Sequence, residues 1–201
     1  MQIIDCEQGT EEWFQARLGI PTASMFKDMM AGGEGKTRRT YMLKLAGERI
    51  TGEISDQFSN SHTERGNQLE PEACNLYEIE TGNEVTKCGF MRKEVYVDMY
   101  AGYSPDGLVG DAGLIEIKTK LPHLQLDVLL SNKNPTEHMK QIQGGLYISG
   151  REWCDYISYW PGLPLFIKRI DRDDDLIEKI RMSIIKFNEE LNEIVEKIGA
   201  M

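Results

Sequence analysis

The sequence predicts a mixed α/β fold, and three patterns predict it. Helix signals crowd the first third, alternating apolar and polar runs fill residues 85–119, and two further strands follow a later helix. Glu11 to Leu18 reads as a helix capped by Thr10 and closed by Gly19, Ser24 to Met30 as a second and Tyr41 to Thr51 as a third. Glu70-Pro71-Glu72 opens another, with Pro71 in its first turn and Gly82 beyond its end. Val85 to Glu94 and Val95 to Gly102 alternate as strands do, Pro135 to Tyr147 reads as a crossover helix, and Cys154 to Trp160 and Phe166 to Ile170 as the last strands. Ile177, Ile180, Ile184, Phe187, Leu191, Ile194 and Ile198 form one apolar stripe on a C-terminal helix of about 175–198, with Asp173 to Asp175 at its favourable N-terminal end. Intramolecular packing is the expected use of that stripe. With 201 residues, 40% of them hydrophobic, and no Pro/Gly/Ser-rich linker, the chain is expected to be a single domain over residues 1–201.

Composition excludes several classes. The N-terminus lacks a basic region leading into an apolar run, and no stretch approaches the roughly 18 apolar residues of a membrane span, so a soluble, cytoplasmic protein is expected. Cys6, Cys74, Cys88 and Cys154 lack the clustered spacing of zinc or iron–sulfur sites and read as reduced thiols. His62, His123 and His138 share no ligand spacing and are expected to be structural or on the surface, and Trp13, Met29, Met30, Met42 and Met139 are expected in the core.

The chemistry concentrates in residues 103–119. Val109-Gly110-Asp111-Ala112-Gly113 carries tight-turn residues, and Leu114-Ile115-Glu116-Ile117-Lys118-Thr119 alternates strictly, so the segment predicts a β-hairpin. Strand alternation puts Glu116 and Lys118 on one face and Ile115 and Ile117 on the other, while the turn folds Asp106 back beside Glu116. Two carboxylates and an ammonium in one place suit a divalent-metal hydrolase: hard Mg²⁺ takes carboxylate oxygens and keeps waters, one of which can attack phosphorus. Lys118 would orient that water or favour its deprotonated form, and offset charge in the transition state.

Ser104-Pro105-Asp106-Gly107 followed by Glu116-Ile117-Lys118 resembles the Pro-Asp…(Asp/Glu)-x-Lys nucleases, and more specifically the phage lambda exonuclease branch, the YqaJ-like viral recombinases. Trp13 to Gly19 with Thr22-Ala23-Ser24 resembles that family's first block, Arg65-Gly66 leading to Glu70 its second, and Met139-Lys140-Gln141-Ile142-Gln143 its last. The resemblance implies a restriction-endonuclease-like core of central mixed sheet and flanking helices. It implies Asp106, Glu116, the carbonyl of Ile117 and Glu70 around two Mg²⁺ ions, with Mn²⁺ able to substitute, and Lys118 acting on the attacking water. It further implies that Arg17, Ser24, Ser104 and Gln141 receive a terminal 5′-phosphate, a guanidinium fork and neutral donors being suited to phosphate oxygens. The implied activity is 5′→3′ digestion of one strand at duplex DNA ends to 5′-mononucleotides, by a ring-shaped homotrimer of phage or prophage origin that works with a single-strand annealing protein. An endonuclease, a DNA-repair nuclease and a catalytically inactive DNA-binding module are the alternative readings.

The net charge of −10 opposes DNA binding at long range, so distribution has to compensate. Lys36, Arg38 and Arg39, with Lys44 and Arg49 beyond, form a basic stretch behind Gly32-Gly33-Glu34-Gly35, and are expected to lie on a loop that meets the DNA backbone.

Overall fold

The computed structural model describes residues 1–32, 36–54 and 61–201, those at 61–64 by backbone alone; residues 33–35 of the expected glycine hinge and the side chain of His62 lie outside the described residues. Strands are β1 (Gln2–Ile4), β2 (Val85–Thr86), β3 (Phe90–Tyr96), β4 (Met99–Tyr103), β5 (Gly107–Val109), β6 (Gly113–Thr119), β7 (Trp153–Tyr159) and β8 (Phe166–Asp171). Helices are α1 (Glu11–Arg17), α2 (Phe26–Met29, preceded by a 3₁₀ turn at Ala23–Met25), α3 (Lys36–Thr51), α4 (Ser61–Thr81), α5 (Pro122–Ser131), α6 (Met139–Ser149, preceded by a 3₁₀ turn at Thr136–His138) and α7 (Asp174–Gly199). A five-stranded sheet runs β2-β5-β6-β7-β8, parallel only between β6 and β7, and a smaller antiparallel sheet runs β1-β3-β4.

Both faces of the larger sheet are covered. Ile115 and Ile117 pack with Ile157 against Ala73, Cys74 and Tyr77 of α4. Leu114, Cys154 and Tyr156 face a larger core built with Phe26, Met29, Leu45, Ile142, Leu146 and the α7 stripe. Within that stripe Ile177, Ile180, Ile184, Phe187 and Leu191 are buried, as packing requires, while Ile194 is half-buried and Ile198 exposed. Met29 and Met42 are buried in the core, and Met30 and Met139 pack at its margin.

Several boundaries differ from the sequence-based expectation. Helix α3 begins at Lys36, so Lys36, Arg38 and Arg39 stand on its first turns and not on a loop. The Arg38 guanidinium grips Glu190 of α7 with bonds of 2.6 and 3.0 Å and donates to the Met29 carbonyl, tying that turn into the structure. Helix α4 runs straight through Pro71, which lies inside it and not at its start. The bond lost at proline costs local stability, but Ala73, Cys74 and Tyr77 bury the next turns against the sheet. The expected strand 85–94 divides between two sheets, β2 pairing with β5 and β3 with β1 and β4. Gly89 sits at that crossing, where a Cβ would come within 2.3 Å of the Cys6 carbonyl oxygen, so only glycine fits. The next turn falls at Val97-Asp98, with Asp98 at φ 56° and its N–H bonded to Glu94, so residues 95 and 96 belong to β3.

Helix α5 has no counterpart in the sequence reading. It starts with Pro122, ends on a left-handed Asn132, and buries only Gln125, whose amide donates to the carbonyls of Ser158 and Pro164. Among the described residues no helix is long and apolar enough to cross a membrane.

Candidate active site

The hairpin forms as its turn residues dictate. Val109 pairs with Gly113, Leu108 with Leu114 and Gly107 with Ile115, so the next rung of the ladder places Asp106 opposite Glu116. Regular pairing stops there, and the Asp106 carboxylate takes over by accepting the Ile117 N–H at 2.6 Å. In a strand a residue's N–H and C=O point to the same side, so the Ile117 carbonyl faces the opening beside Asp106. Glu116 is 1% exposed. Side chains satisfy it: Lys118 Nζ lies 2.6 Å from Oε1, Gln141 of α6 donates to the same oxygen, and the Tyr103 hydroxyl donates to Oε2 at 3.3 Å.

Gln141 reaches Glu116 because α6 lies close against the sheet. A Cβ on Gly144 would come within 2.4 Å of the Phe26 ring and one on Gly145 within 2.7 Å of the Tyr103 ring, so the glycine pair permits that approach.

The electrostatics follow from burying like charges together. Burial first, and then the charge of Glu116, hold the Asp106 carboxyl well above the usual range, with Lys118 and the Ile117 N–H opposing. Burial works against charge on Lys118 too, but Glu116 and Asp106 outweigh it and raise its pKa, so the ammonium is firmly protonated. Burial and Glu116 together push the Tyr103 phenol far up, leaving it a neutral donor.

Glu70 stands in the middle of α4, not at a helix start. Its carboxylate is held by Lys87 at 2.8 Å, and the same ammonium donates to the Asp106 carbonyl at 3.0 Å, so Lys87 links Glu70 to the hairpin. Among the described residues no three His, Cys, Asp or Glu side chains are gathered closely enough to form a metal cage by themselves. Asp106 and Glu116 nevertheless fit a hard cation: they are paired oxygen donors in a low-dielectric setting, and the displaced Asp106 carboxyl marks a place where positive charge is favoured. The Ile117 carbonyl is the third oxygen at that opening.

A cavity of about 210 Å³ is lined by Trp13, Arg17, Thr22, Ser24, Lys44 and Glu48, among others. Arg17 donates to the Ser104 hydroxyl at 3.3 Å, and the Trp13 indole N–H donates to the same oxygen at 2.8 Å. Trp13 is thus half-buried and polar in role, where the sequence reading put it in the core; its ring stacks under the Arg17 guanidinium at 4.0 Å. The Ser24 hydroxyl is 3.3 Å from that of Thr22. Arg17 and Ser24 thus line one cavity, and Arg17 reaches from it to Ser104, two residues along the chain from Asp106. Gln141 instead bonds the Glu116 carboxylate.

Three contributors escaped the sequence reading. Lys87 is one; Tyr103, adjoining Ser104, is another, and its place on the strand leading into the motif was the available signal. The third is Gln8, whose amide donates to the carbonyls of Pro105 and Cys88 at 2.8 and 2.9 Å and so pins the segment carrying Asp106. His123 is exposed, while His138 stacks on Tyr156 with ring centres 5.5 Å apart.

Comparisons with known proteins agree with this geometry. The model of the YqaJ-like viral recombinase domain matches residues 12–152. Two crystal structures are similar over nearly the whole chain. An alkaline exonuclease (LHK-Exo) from Laribacter hongkongensis is 40% identical, with TM-score 0.85, covering 95% of this chain and 97% of that one. LHK-Exo in complex with dAMP is 41% identical, with TM-score 0.85, covering 94% and 96%. A phage-related exonuclease from Haemophilus somnus 129PT, 15% identical with TM-score 0.70 over 89% of this chain and 96% of that one, shares the fold. No curated protein sequence matched. The architecture is the restriction-endonuclease-like mixed sheet with flanking helices, and with the domain model spanning most of its length the chain belongs to the YqaJ-like viral recombinase family.

Proposed function

We propose that the chain is a metal-dependent exonuclease that digests one strand of linear duplex DNA from its 5′ end, releasing 5′-mononucleotides and leaving a 3′ single-stranded tail. The observation that carries this reading is the convergence of Asp106, Glu116 and Lys118 on one hairpin, in a chain 40% identical to an alkaline exonuclease. The dAMP held by a 41% identical relative supports mononucleotide as the product class.

Asp106, Glu116 and the Ile117 carbonyl would hold a divalent ion, with Glu70 supporting a second or its water shell; Mg²⁺ is the proposed ion and Mn²⁺ its substitute. Such an ion supplies a water of lowered pKa and neutralises charge on the phosphate. Lys118, fixed by Glu116, presents its ammonium to the attacking water and to the developing negative charge. Because its proton is firmly held in the free protein, orientation and charge stabilisation are its main contributions there. Gln141 fixes the carboxylate that Lys118 touches, so the reacting groups keep one geometry.

Polarity comes from the cavity that Arg17 lines. Arg17, Ser24 and Ser104 would receive the terminal 5′-phosphate, with Gln141 reaching it from the Glu116 carboxylate. Lys36 and Arg39, exposed on α3, would touch the DNA backbone; Arg38, engaged with Glu190, would do so only by leaving it. Family membership supports a homotrimeric ring, a single domain over the chain, a phage or prophage setting in a bacterial cytoplasm, and a single-strand annealing partner. The reading is tested by incubating linear and covalently closed circular duplex with the protein in Mg²⁺ and in EDTA. Loss of linear DNA alone, and only with metal, is expected; nicking of closed circles would replace the exonuclease by an endonuclease.

A further inference from the structure

A second cluster of charge lies outside the catalytic set, at the C-terminal ends of the parallel strands β6 and β7. Open α/β sheets bind ligands in the crevice at such ends. Lys120 follows β6, and its N–H bonds the Tyr159 carbonyl at the end of β7 at 3.1 Å. Its ammonium lies 2.6 Å from Glu137 Oε1, and His138 Nε2 lies 3.1 Å from the same oxygen. The Lys120 side chain is only 17% exposed, whereas that of Glu137 is 54% exposed, so the cation is fixed in place and its partner lies loosely at the surface. Lys27 of α2 is close enough for its charge to help Lys120 and His138 hold the Glu137 carboxyl below its usual range. Lys118 is close enough to His138 to join burial in pushing that imidazole down to about 4, so His138 is neutral near pH 7. Lys27 of α2, Lys120 at the end of β6 and the neutral imidazole of His138 thus gather about the Glu137 carboxylate. Lys118 and Lys120 are two residues apart, about 7 Å along the chain.

We propose that Lys27 and Lys120 form a phosphate track for the DNA strand engaged at the hairpin, and that Glu137 occupies this track in the free protein and is displaced by a DNA phosphate. The inference rests on the proposed function, since it names where that substrate's backbone runs. Its logic is exchange of anions: the Glu137 carboxylate lies open to solvent, and a phosphate oxygen takes over the same preset ammonium while releasing counterions from the DNA. His138, stacked on Tyr156, supplies a rigid neutral donor beside it. In a chain of net charge −10, Glu137 also keeps this strip neutral until DNA arrives.

The two partners of the pair give opposite predictions. A fluorescent blunt duplex with 5′-phosphates is titrated in EDTA with the full-length wild type and with Lys120→Ala, Lys27→Ala and Glu137→Gln, at several salt concentrations. Lys120→Ala and Lys27→Ala are expected to weaken binding several-fold, each reducing the log–log salt slope by about 0.9. Glu137→Gln is expected to tighten binding several-fold and steepen the slope, and circular dichroism on each variant checks folding. If the wild type binds while Glu137→Gln leaves affinity and slope unchanged, or weakens binding, the track is overturned and the exonuclease reading stands. A wild type that neither binds nor cuts duplex DNA overturns both.

Discussion

Lys118 Nζ lies 2.6 Å from Glu116 Oε1, two residues away on the same face of β6, and this contact joins the general physics of a buried charge to the chemistry proposed for the site. Glu116 at 1% exposure needs a cation nearby, and Lys118, the residue proposed to meet the reacting phosphate, supplies it. Lys118→Ala is therefore expected to reduce kcat by at least about 10²-fold, as loss of one preorganised charge does, while metal and DNA binding persist. Single-turnover rates beside binding isotherms check it; near-native turnover would remove the catalytic role.

Arg17, which lines the cavity proposed for the 5′-phosphate, donates a hydrogen bond to the Ser104 hydroxyl. Arg17→Ala is expected to slow digestion of 5′-phosphorylated ends by about 10- to 100-fold, the worth of a charged hydrogen bond, with a much smaller effect on 5′-hydroxyl ends. Equal losses on both, measured on matched duplexes, would leave Arg17 a structural residue.

Asp106 carries an electrostatic cost in the metal-free chain. Its folded pKa is raised, so stability is fully present below the ordinary carboxyl range near 3.8 and is lost as pH rises toward the folded value. Asp106→Asn keeps an oxygen for the Ile117 N–H and removes that charge. In EDTA the variant is expected to melt higher than the wild type, each kcal/mol being worth about 2–4 °C in a chain of this size, with the advantage growing as pH rises. It is also expected to be inactive. A lower Tm at pH 8 in thermal scans would contradict the repulsion.

His138 has the opposite sign. Burial first, and then Lys118, lower its pKa from 6.5 to about 4, so the contribution is present above pH 6.5 and lost as pH falls toward 4, by at most about 3 kcal/mol. His138→Phe keeps a ring over Tyr156 and cannot take a proton, so the wild-type loss of stability between pH 6.5 and 4 is expected to shrink in it. Urea midpoints across that range decide it; identical pH slopes would place the titrating group elsewhere.

How far the sequence was legible depended on how local each signal is. The hairpin was read because turn residues and strand alternation act over a few neighbours, and the α7 stripe because its period repeats through most of that helix. Long-range effects set what was missed. Lys36 to Thr40 carry no apolar period, and the Arg38–Glu190 pair across the fold helps hold that turn of helix. Pro71 reads as a start, yet packing of Tyr77 and its neighbours carries α4 through it. The strand at 85–94 breaks where Gly89 meets Cys6 and Ile4, far away in sequence. Helix α5 leaves Leu124, Leu126 and Leu130 exposed, buries Gln125 and half-buries Val128 and Leu129, so no amphipathic stripe announces it. In the site, Asp106, Glu116 and Lys118 were visible as one segment, whereas Lys87 and Gln8 arrive by tertiary folding and left no local mark.

The most direct test of the account follows separate 5′ and 3′ labels on a linear duplex, with 5′-phosphate and 5′-hydroxyl termini, in Mg²⁺ and in EDTA. Metal-dependent release of the 5′ label as mononucleotide is expected, faster from phosphorylated ends, with the 3′ label retained on single-stranded DNA. Release of the 3′ label first, or digestion indifferent to the terminal phosphate, would contradict it.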